Sequence, residues 1–424
     1  MTQTKPFPKE EGLENGLKVL REGYMYAPNR LKAYQSDAFE TRLLGDKAIV
    51  MGGEEAARLF YDEEKFKRNG AAPEPAMATL LGKGGVQTLD DEDHRNRKKS
   101  FMDLMSRERI EVWAKLVEKY LHVAAKEWLT KDSIHFYDES KKVLTRAVCD
   151  WAGVPLPEKD VDKRTKQLVG MFESPMAVSH KHVEGRINRM NGESWIKDLI
   201  QQVREGELKP KEETALYQMS WHRELDGELL DLKTAAVEVL NILRPSVAIA
   251  IYFTFTALSL HQFPEVKAKL NGDNPYYLHM FIQEIRRYYP FFPFNAAITR
   301  KDFVWQDYQF EKDTMVVLDF YGTNHDYRIW DNPDKFDPER FTNWHTSPSD
   351  EVQMKLVAQG GGDYYKGHRC PGEWNTIRAM EVLTEFLTNK ITYTVPEQDL
   401  GYSMVQVPTV PKSGMILENV DYIG

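Results

Sequence analysis

The spacing of apolar positions changes character twice along the chain. Over the first 65 or so residues, short alternating apolar stretches such as Ala48 to Met51 stand beside a helical pattern in Glu54 to Phe60, which predicts a small sheet with a packed helix. From about His94 to Leu270 the helical period takes over. Glu111 to Trp128, Ser140 to Ala152, Trp195 to Glu205 and Leu232 to His261 all place apolar residues at i, i+3 and i+4. Within the last of these, Ala235 to Leu260 is apolar almost all round, predicting a helix buried at the centre of a large fold, where it can line a pocket. After Tyr289 the pattern turns β-like in Asp302 to Tyr308 and Thr314 to Phe320. A loop rich in Gly, Asp and Pro follows, then a helix over Glu373 to Leu387 and a strand pair at Lys390 to Val395 and Gly414 to Asn419. The chain reads as mainly α with a minor β part.

Length alone, 424 residues, suggests two or three domains, yet no linker, low-complexity tract or repeat divides the chain. We read it as one unit over 1–424, with a small β-rich part at about 1–65, a helical bulk at about 94–290 and an irregular loop at 358–373. A single cofactor could organise a unit of that size. The net charge of -9 leaves no basic footprint for nucleic acid and no polybasic membrane signal. The segment MTQTKPFPKEEGLENGLKVL lacks the apolar core of a signal peptide, and no uninterrupted apolar run reaches the roughly 18 residues of a spanning helix. The expectation is a cytoplasmic protein without a membrane anchor. Its two cysteines, Cys149 and Cys370, lie far apart and do not suggest a disulfide framework.

Chemistry concentrates in AQGGGDYYKGHRCPGE, Ala358 to Glu373, where Cys370 follows a glycine-rich loop and immediately precedes a helix. Unpaired N–H groups and the positive dipole end at a helix start favour thiolate over thiol. Glycines let backbone approach a flat cofactor closely. A lone cysteine is otherwise most often inert core, which is how Cys149, in RAVCDWAG on an amphipathic helix, reads.

These residues resemble the haem-binding signature of the cytochromes P-450. The resemblance makes Cys370 the thiolate ligand of a haem b, with Gly372 after it and His368 before it beside a propionate. Two further motifs occur in the family's order. Glu284 and Arg287, in QEIRRYYP, match the ExxR pair beneath the haem, and PERF at Pro338 to Phe341 supplies Arg340 to close that network. Alone, an i, i+3 Glu/Arg pair would be a solvated helix contact. One departure is informative: Asp363 and Lys366 stand where ordinary members carry phenylalanine and glycine. The loop as a whole is similar to that of the bacterial fatty-acid peroxygenases, and the likeness runs from LENGLKVL at Leu13 to the last strands.

That branch implies hydrogen peroxide as oxidant, a long-chain fatty acid as substrate and no obligatory redox partner. Dioxygen-using members carry an acid followed by a threonine on the central helix, whereas this helix reads NILRPSV, with Arg244 and Pro245 in their places. Peroxide needs only a group to take a proton and return it to the leaving oxygen. A guanidinium on an apolar helix demands a carboxylate, either the substrate's or a protein acid's. Pro245 would open the helix, as a functional feature or as a plain kink. By analogy with the peroxygenases, Arg68, His94 and Lys98 would meet the propionates, and Leu81, Phe291 and Phe292 would line a tunnel; a solvated basic patch and ordinary aromatic core are the simpler readings. Gln87 falls where hydroxylating relatives carry glutamine and alkene-forming ones histidine, so hydroxylation at the α and, less, the β carbon is expected. Terminal-alkene formation and a reductase-dependent monooxygenase are the alternatives within the fold. A haem-binding sensor has no need of Arg244, and a cysteine hydrolase has no His/Asn pattern to partner Cys370.

Overall fold

The computed structural model describes residues 4–174, 180–344 and 354–423. Among them, nine long helices form the bulk: α1 (Asp91–Leu104), α2 (Arg107–Trp128), α3 (Phe136–Ala152), α4 (Val161–Glu173), α5 (His180–Arg204), α6 (Leu232–Ala248), α7 (Ala250–Gln262), α8 (Tyr277–Tyr288) and α9 (Glu373–Asn389). The start of α6 is set by Asp231, whose Oδ1 accepts the N–H groups of Lys233 and Thr234 at 3.0 and 3.1 Å. Pro245 sits inside α6 and has no N–H to return to the preceding turn, and the helical run breaks four residues later at Ile249. Together α6 and α7 make a 31-residue run long and apolar enough to cross a bilayer, but 89% of its apolar stretch is buried inside the protein. It is the core helix expected from the pattern. α6 packs against α3, α4 and α5, while α7 packs against α3, α8 and α9.

Beside this bundle lies a five-stranded sheet of β1 (Ala38–Leu43), β2 (Asp46–Met51), β3 (Phe66–Lys67), β4 (Phe294–Thr299) and β5 (Met315–Asp319), in the order β1-β2-β5-β4-β3. Only β2 and β5 run parallel, with Val50 opposite Val317. The strands Ile391–Thr394 and Ile416–Tyr422 pair as expected, and Ser133–His135 joins them. The expected run Asp302 to Tyr308 is instead a hairpin, Phe303–Trp305 with Tyr308–Phe310, because Gln306 and Asp307 take φ of 49° and 64° and turn the chain. Strand β4 was hidden behind the aromatics and prolines of YYPFFPF, which mask its alternation. The N-terminal part also holds the helices Gly16–Glu22 and Tyr26–Tyr34, more helix than its pattern predicts.

Candidate active site around Cys370

Cys370 closes the loop that leads into α9. Its N–H donates to the Gln359 carbonyl at 3.1 Å, and its Sγ lies 4.0 Å from the donor Nε2 of Gln359. The departures from the ordinary signature explain themselves here. Asp363 Oδ1 accepts from the N–H groups of Tyr365 and Lys366 at 2.7 and 2.9 Å, so the segment folds into a self-capped turn. The loop glycines pack closely within the protein. A Cβ at Gly361 would lie 2.7 Å from Met354 Sδ and 3.1 Å from the Tyr61 ring, so close packing on Tyr61 is what requires them. A Cβ on Gly372 would stand 3.9 Å from the sulfur, an ordinary contact. The thiol also departs from the helix-terminus expectation. Burial, then Glu373, pushes the Cys370 thiol upward, while Lys98, the Gly372 N–H and Arg286 pull it down less strongly. Coordination to a metal, which deprotonates a thiol outright, would supply what the helix end does not.

Two ion-pair networks brace α8, one against the turn Pro338–Phe341 and one against the start of α9. Glu284 receives Arg287 at 2.7 Å and Arg340 at 3.2 Å, and its Oε1 accepts the Asp337 N–H at 2.8 Å. Arg286, one residue from the expected arginine, donates to Glu373 at 2.5 Å and to Gln359 Oε1 at 3.1 Å, while Arg369 donates to Glu373 at 2.7 Å. The family resemblance pointed to the first network. The second was missed, although Gln359 and Glu373 both flank the glycine-rich loop. Arg340 also donates to the Asp331 and Lys335 carbonyls at 2.8 and 2.9 Å. Arg340→Lys keeps the charge and loses that fork, so it is expected to cost about 1–3 kcal/mol. Thermal denaturation should show a fall of several degrees in Tm; an unchanged Tm would remove Arg340 from the bracing.

To one side of Cys370 the structure gathers the four expected basic residues. Lys98 is 2% exposed and donates to the Arg369 carbonyl at 2.5 Å. Arg68 donates to the Phe60 carbonyl, and its Nε is buried without a partner. The His94 and His368 rings stack at 3.9 Å. Burial holds Lys98 down at about 8, and burial with the charges of Lys98 and Arg68 holds His94 down at about 4. Asp90 comes within 3.9 Å of His368 but gives both oxygens to backbone N–H groups of Arg68 and Asn69. The buried Arg68 and Lys98, with two histidines able to donate hydrogen bonds, fit a ligand bearing carboxylates, as the two propionates of haem do, and the Cys370 thiol lies near Lys98 where it could hold the iron.

The core helix carries the other group of expected residues, Arg244 and Pro245. From Ala235 to Leu260 every residue is buried except Pro245 and Ser246. Arg244 is 5% exposed, and its guanidinium donates to the Leu80 carbonyl in a very short contact. Among the described residues no carboxylate lies within ion-pairing distance of it. Burial, with Arg189 nearby, holds Arg244 down at about 9. Arg189 donates to the same Leu80 carbonyl at 3.2 Å and pairs with Glu193 at 2.7 Å. Leu81 packs against the core at the end of this segment. Phe291 stacks on Tyr252 at 4.4 Å, whereas Phe292 is 40% exposed and the less enclosed of the two. Gln87, in the turn Val86–Thr88, accepts a hydrogen bond from Asn241 of α6 at 3.2 Å. Cys149 is 1% exposed and pushed up to about 12 by burial, as core.

Comparison with known proteins agrees with this arrangement. The cytochrome P-450 family model matches residues 273–355, which hold Glu284, Arg287 and Arg340. The structure of cytochrome P450EX alpha (CYP152N1) with myristic acid superposes with a TM-score of 0.95 at 46% identity, covering 99% of this chain and 100% of that one. Cytochrome P450SP alpha (CYP152B1) in complex with (R)-ibuprophen gives 0.94 at 42% identity, over 97% and 100% of the two chains. A variant of the P-450 OleT in complex with arachidonic acid gives 0.95 at 33% identity, over 99% of each. The fold and the thiolate loop thus define a haem-thiolate oxidoreductase, and the chain belongs to the cytochrome P-450 superfamily. Within it the chain falls in the CYP152 group, the fatty-acid peroxygenase and decarboxylase branch that its loop resembles.

Proposed function

We propose that the protein hydroxylates long-chain fatty acids at the α carbon, and to a lesser extent the β carbon, with hydrogen peroxide as oxidant and no redox partner. One observation carries the reading: a buried guanidinium, Arg244, sits on the core helix beside Pro245 with a carbonyl and, among the described residues, no carboxylate to meet it. Cys370 would hold the haem iron, and Arg68, His94, Lys98 and His368 the propionates. When bound, haem with a thiolate ligand supplies the oxidising power released by cleavage of the peroxide O–O bond. Arg244 fixes the substrate carboxylate beside Pro245. That carboxylate takes one proton from hydrogen peroxide and returns it to the departing oxygen, which leaves as water. The other oxygen enters the C–H bond, so substrate and peroxide together give hydroxy acid and water. Anchoring by the carboxylate places the near end of the chain at the reacting centre, with Leu81, Phe291 and Phe292 along the tail.

Gln87 supports hydroxylation over alkene formation, because an amide has no acid function and never carries charge. The burial of the long apolar helix in the core supports a cytoplasmic enzyme without an anchor. The test is incubation of haem-loaded protein with hydrogen peroxide and myristic acid, without reductase, and gas chromatography of the products. Mainly 2-hydroxymyristic acid with some 3-hydroxy isomer is expected. A dominant terminal alkene would remove Gln87 from control of the branch. Oxidation near the tail would remove the anchor, and turnover only with a reductase would remove peroxide.

A further inference from the structure

We propose that Glu238, an acid that the sequence motifs do not single out, is a positioning residue that fixes which end of the Gln87 amide is free to act. The inference rests on the role given to Gln87 above. Glu238 lies on α6 two turns before Arg244 and is fully buried. Its Oε1 accepts the Val86 N–H at 2.8 Å and Arg97 Nη1 at 2.7 Å, and its Oε2 accepts Asn241 Nδ2 at 3.0 Å. Burial pushes the Glu238 carboxyl upward, but every group facing its two oxygens is a donor, Arg97 among them, and a proton on either oxygen would find no acceptor, which holds Glu238 as an acceptor at both ends.

Polarity then passes outward through two amides. Asn241 must turn Nδ2 toward Glu238, because the reversed amide would set Oδ1 against Oε2, two acceptors in contact. The same Nδ2 donates its second hydrogen to Gln87 Oε1 at 3.2 Å. Gln87 is thereby held with its oxygen engaged and its NH2 free, presenting a donor and no acceptor. Asn241 is 5% exposed and its Oδ1 has no partner, so nothing on that side competes for control. The turn that carries Gln87 is fitted to the contact. A Cβ on Gly85 would lie 2.8 Å from Asn241 Nδ2 and 3.0 Å from Gln87 Oε1, so this glycine leaves the amides room to meet. Through Val86 N–H, Glu238 also holds the backbone of that turn. A plain structural role, in which Glu238 merely receives Arg97 from α1, is the competing explanation.

The two are separated with haem-loaded Gln87→Ala, Glu238→Gln, Asn241→Ala and the double variant Glu238→Gln with Gln87→Ala. For each, kcat, KM, the ratio of 2-hydroxy to 3-hydroxy to alkene products, and the affinity for azide by visible titration are measured with myristic acid as substrate. All three single variants are expected to lower kcat about three- to tenfold, the size of one hydrogen bond, with KM little changed because Arg244 is intact. They should shift the product ratio in the same direction and weaken azide binding similarly. Glu238→Gln should add nothing in the Gln87→Ala background. Asn241→Ala leaves the Glu238 contacts with Arg97 and Val86 in place, so the test survives if Glu238→Gln folds poorly. An effect of Gln87→Ala with fully additive Glu238→Gln and a silent Asn241→Ala would overturn the positioning role alone. A silent Gln87→Ala would overturn this inference by leaving the Gln87 donor no part, while the hydroxylation expected from the lack of an acid at that position would stand.

Discussion

Replacing Cys370 with alanine is expected to abolish the thiolate-ligated absorption of the reduced carbon-monoxide complex and, with it, turnover of fatty acid by peroxide. Of the two thiols in the chain, Cys370 is the one beside the buried cations, since Cys149 lies in the core of α3 and is pushed up to about 12. Its surroundings are built to keep it in place. The Cys370 N–H is held by Gln359, whose side chain is gripped in turn by Arg286 and by Thr376 at 3.1 Å from Nε2. None of those bonds needs the sulfur, so Cys370→Ala should fold, with helical circular dichroism close to the parent. Burial raises this thiol, and a thiol so placed stays neutral until a cation displaces its proton. The affinity of the protein for ferric haem should therefore rise with pH in the parent and lose that dependence in the variant. Spectra of the two reconstituted proteins decide the matter: a full thiolate spectrum from Cys370→Ala would end the ligand assignment and the reading of the whole loop.

Much of this was legible in the sequence because local rules and tertiary structure agree. α6 and α7 are apolar all round and are buried, and the cysteine loop ends at a helix as its residues foretell. Where the two levels diverge, the reason is physical. The helix end was expected to favour thiolate, but a few oriented N–H groups do not outweigh burial and the nearby Glu373. The loop glycines also pack on Tyr61, some 300 residues away, a contact that no local pattern reveals. Glu238, Asn241 and Gln87 form one chain of hydrogen bonds across 150 residues of sequence, and in the one-dimensional text each is an ordinary polar residue. Arg244 was half legible. Its chemistry demanded a carboxylate, yet with 65 acidic residues in the chain only the fold could decide whether one of them answered.

None of the described acids does, and that makes Arg244→Ala the sharper experiment on function. Most buried arginines hold a fold together, so their removal lowers stability. Arg244 makes one short contact with the Leu80 carbonyl, which Arg189 also reaches, and burial holds its guanidinium down at about 9. A charge kept out of water without a counter-ion costs the folded protein free energy. Arg244→Ala should therefore leave Tm of the substrate-free protein unchanged or raised, while haem loading stays normal because Arg244 makes no hydrogen bond or ion pair with Cys370 or with Arg68, His94, Lys98 and His368. Catalysis should respond in the opposite direction. Losing the partner of a buried substrate carboxylate costs about 3–5 kcal/mol, so kcat/KM for myristic acid should fall by roughly 10² to 10³ or more. Because the same carboxylate moves the proton, kcat should fall along with the rise in KM, and any residual product should be spread along the chain instead of gathered at its carboxyl end. Arg244→Lys keeps a charge without the fork and should land between the two. Calorimetry gives the stability arm and product chromatography the catalytic arm. Normal turnover in Arg244→Ala would sink substrate-assisted catalysis, and a large loss of Tm would mean that the guanidinium serves the fold and that the anchor for the fatty acid lies elsewhere.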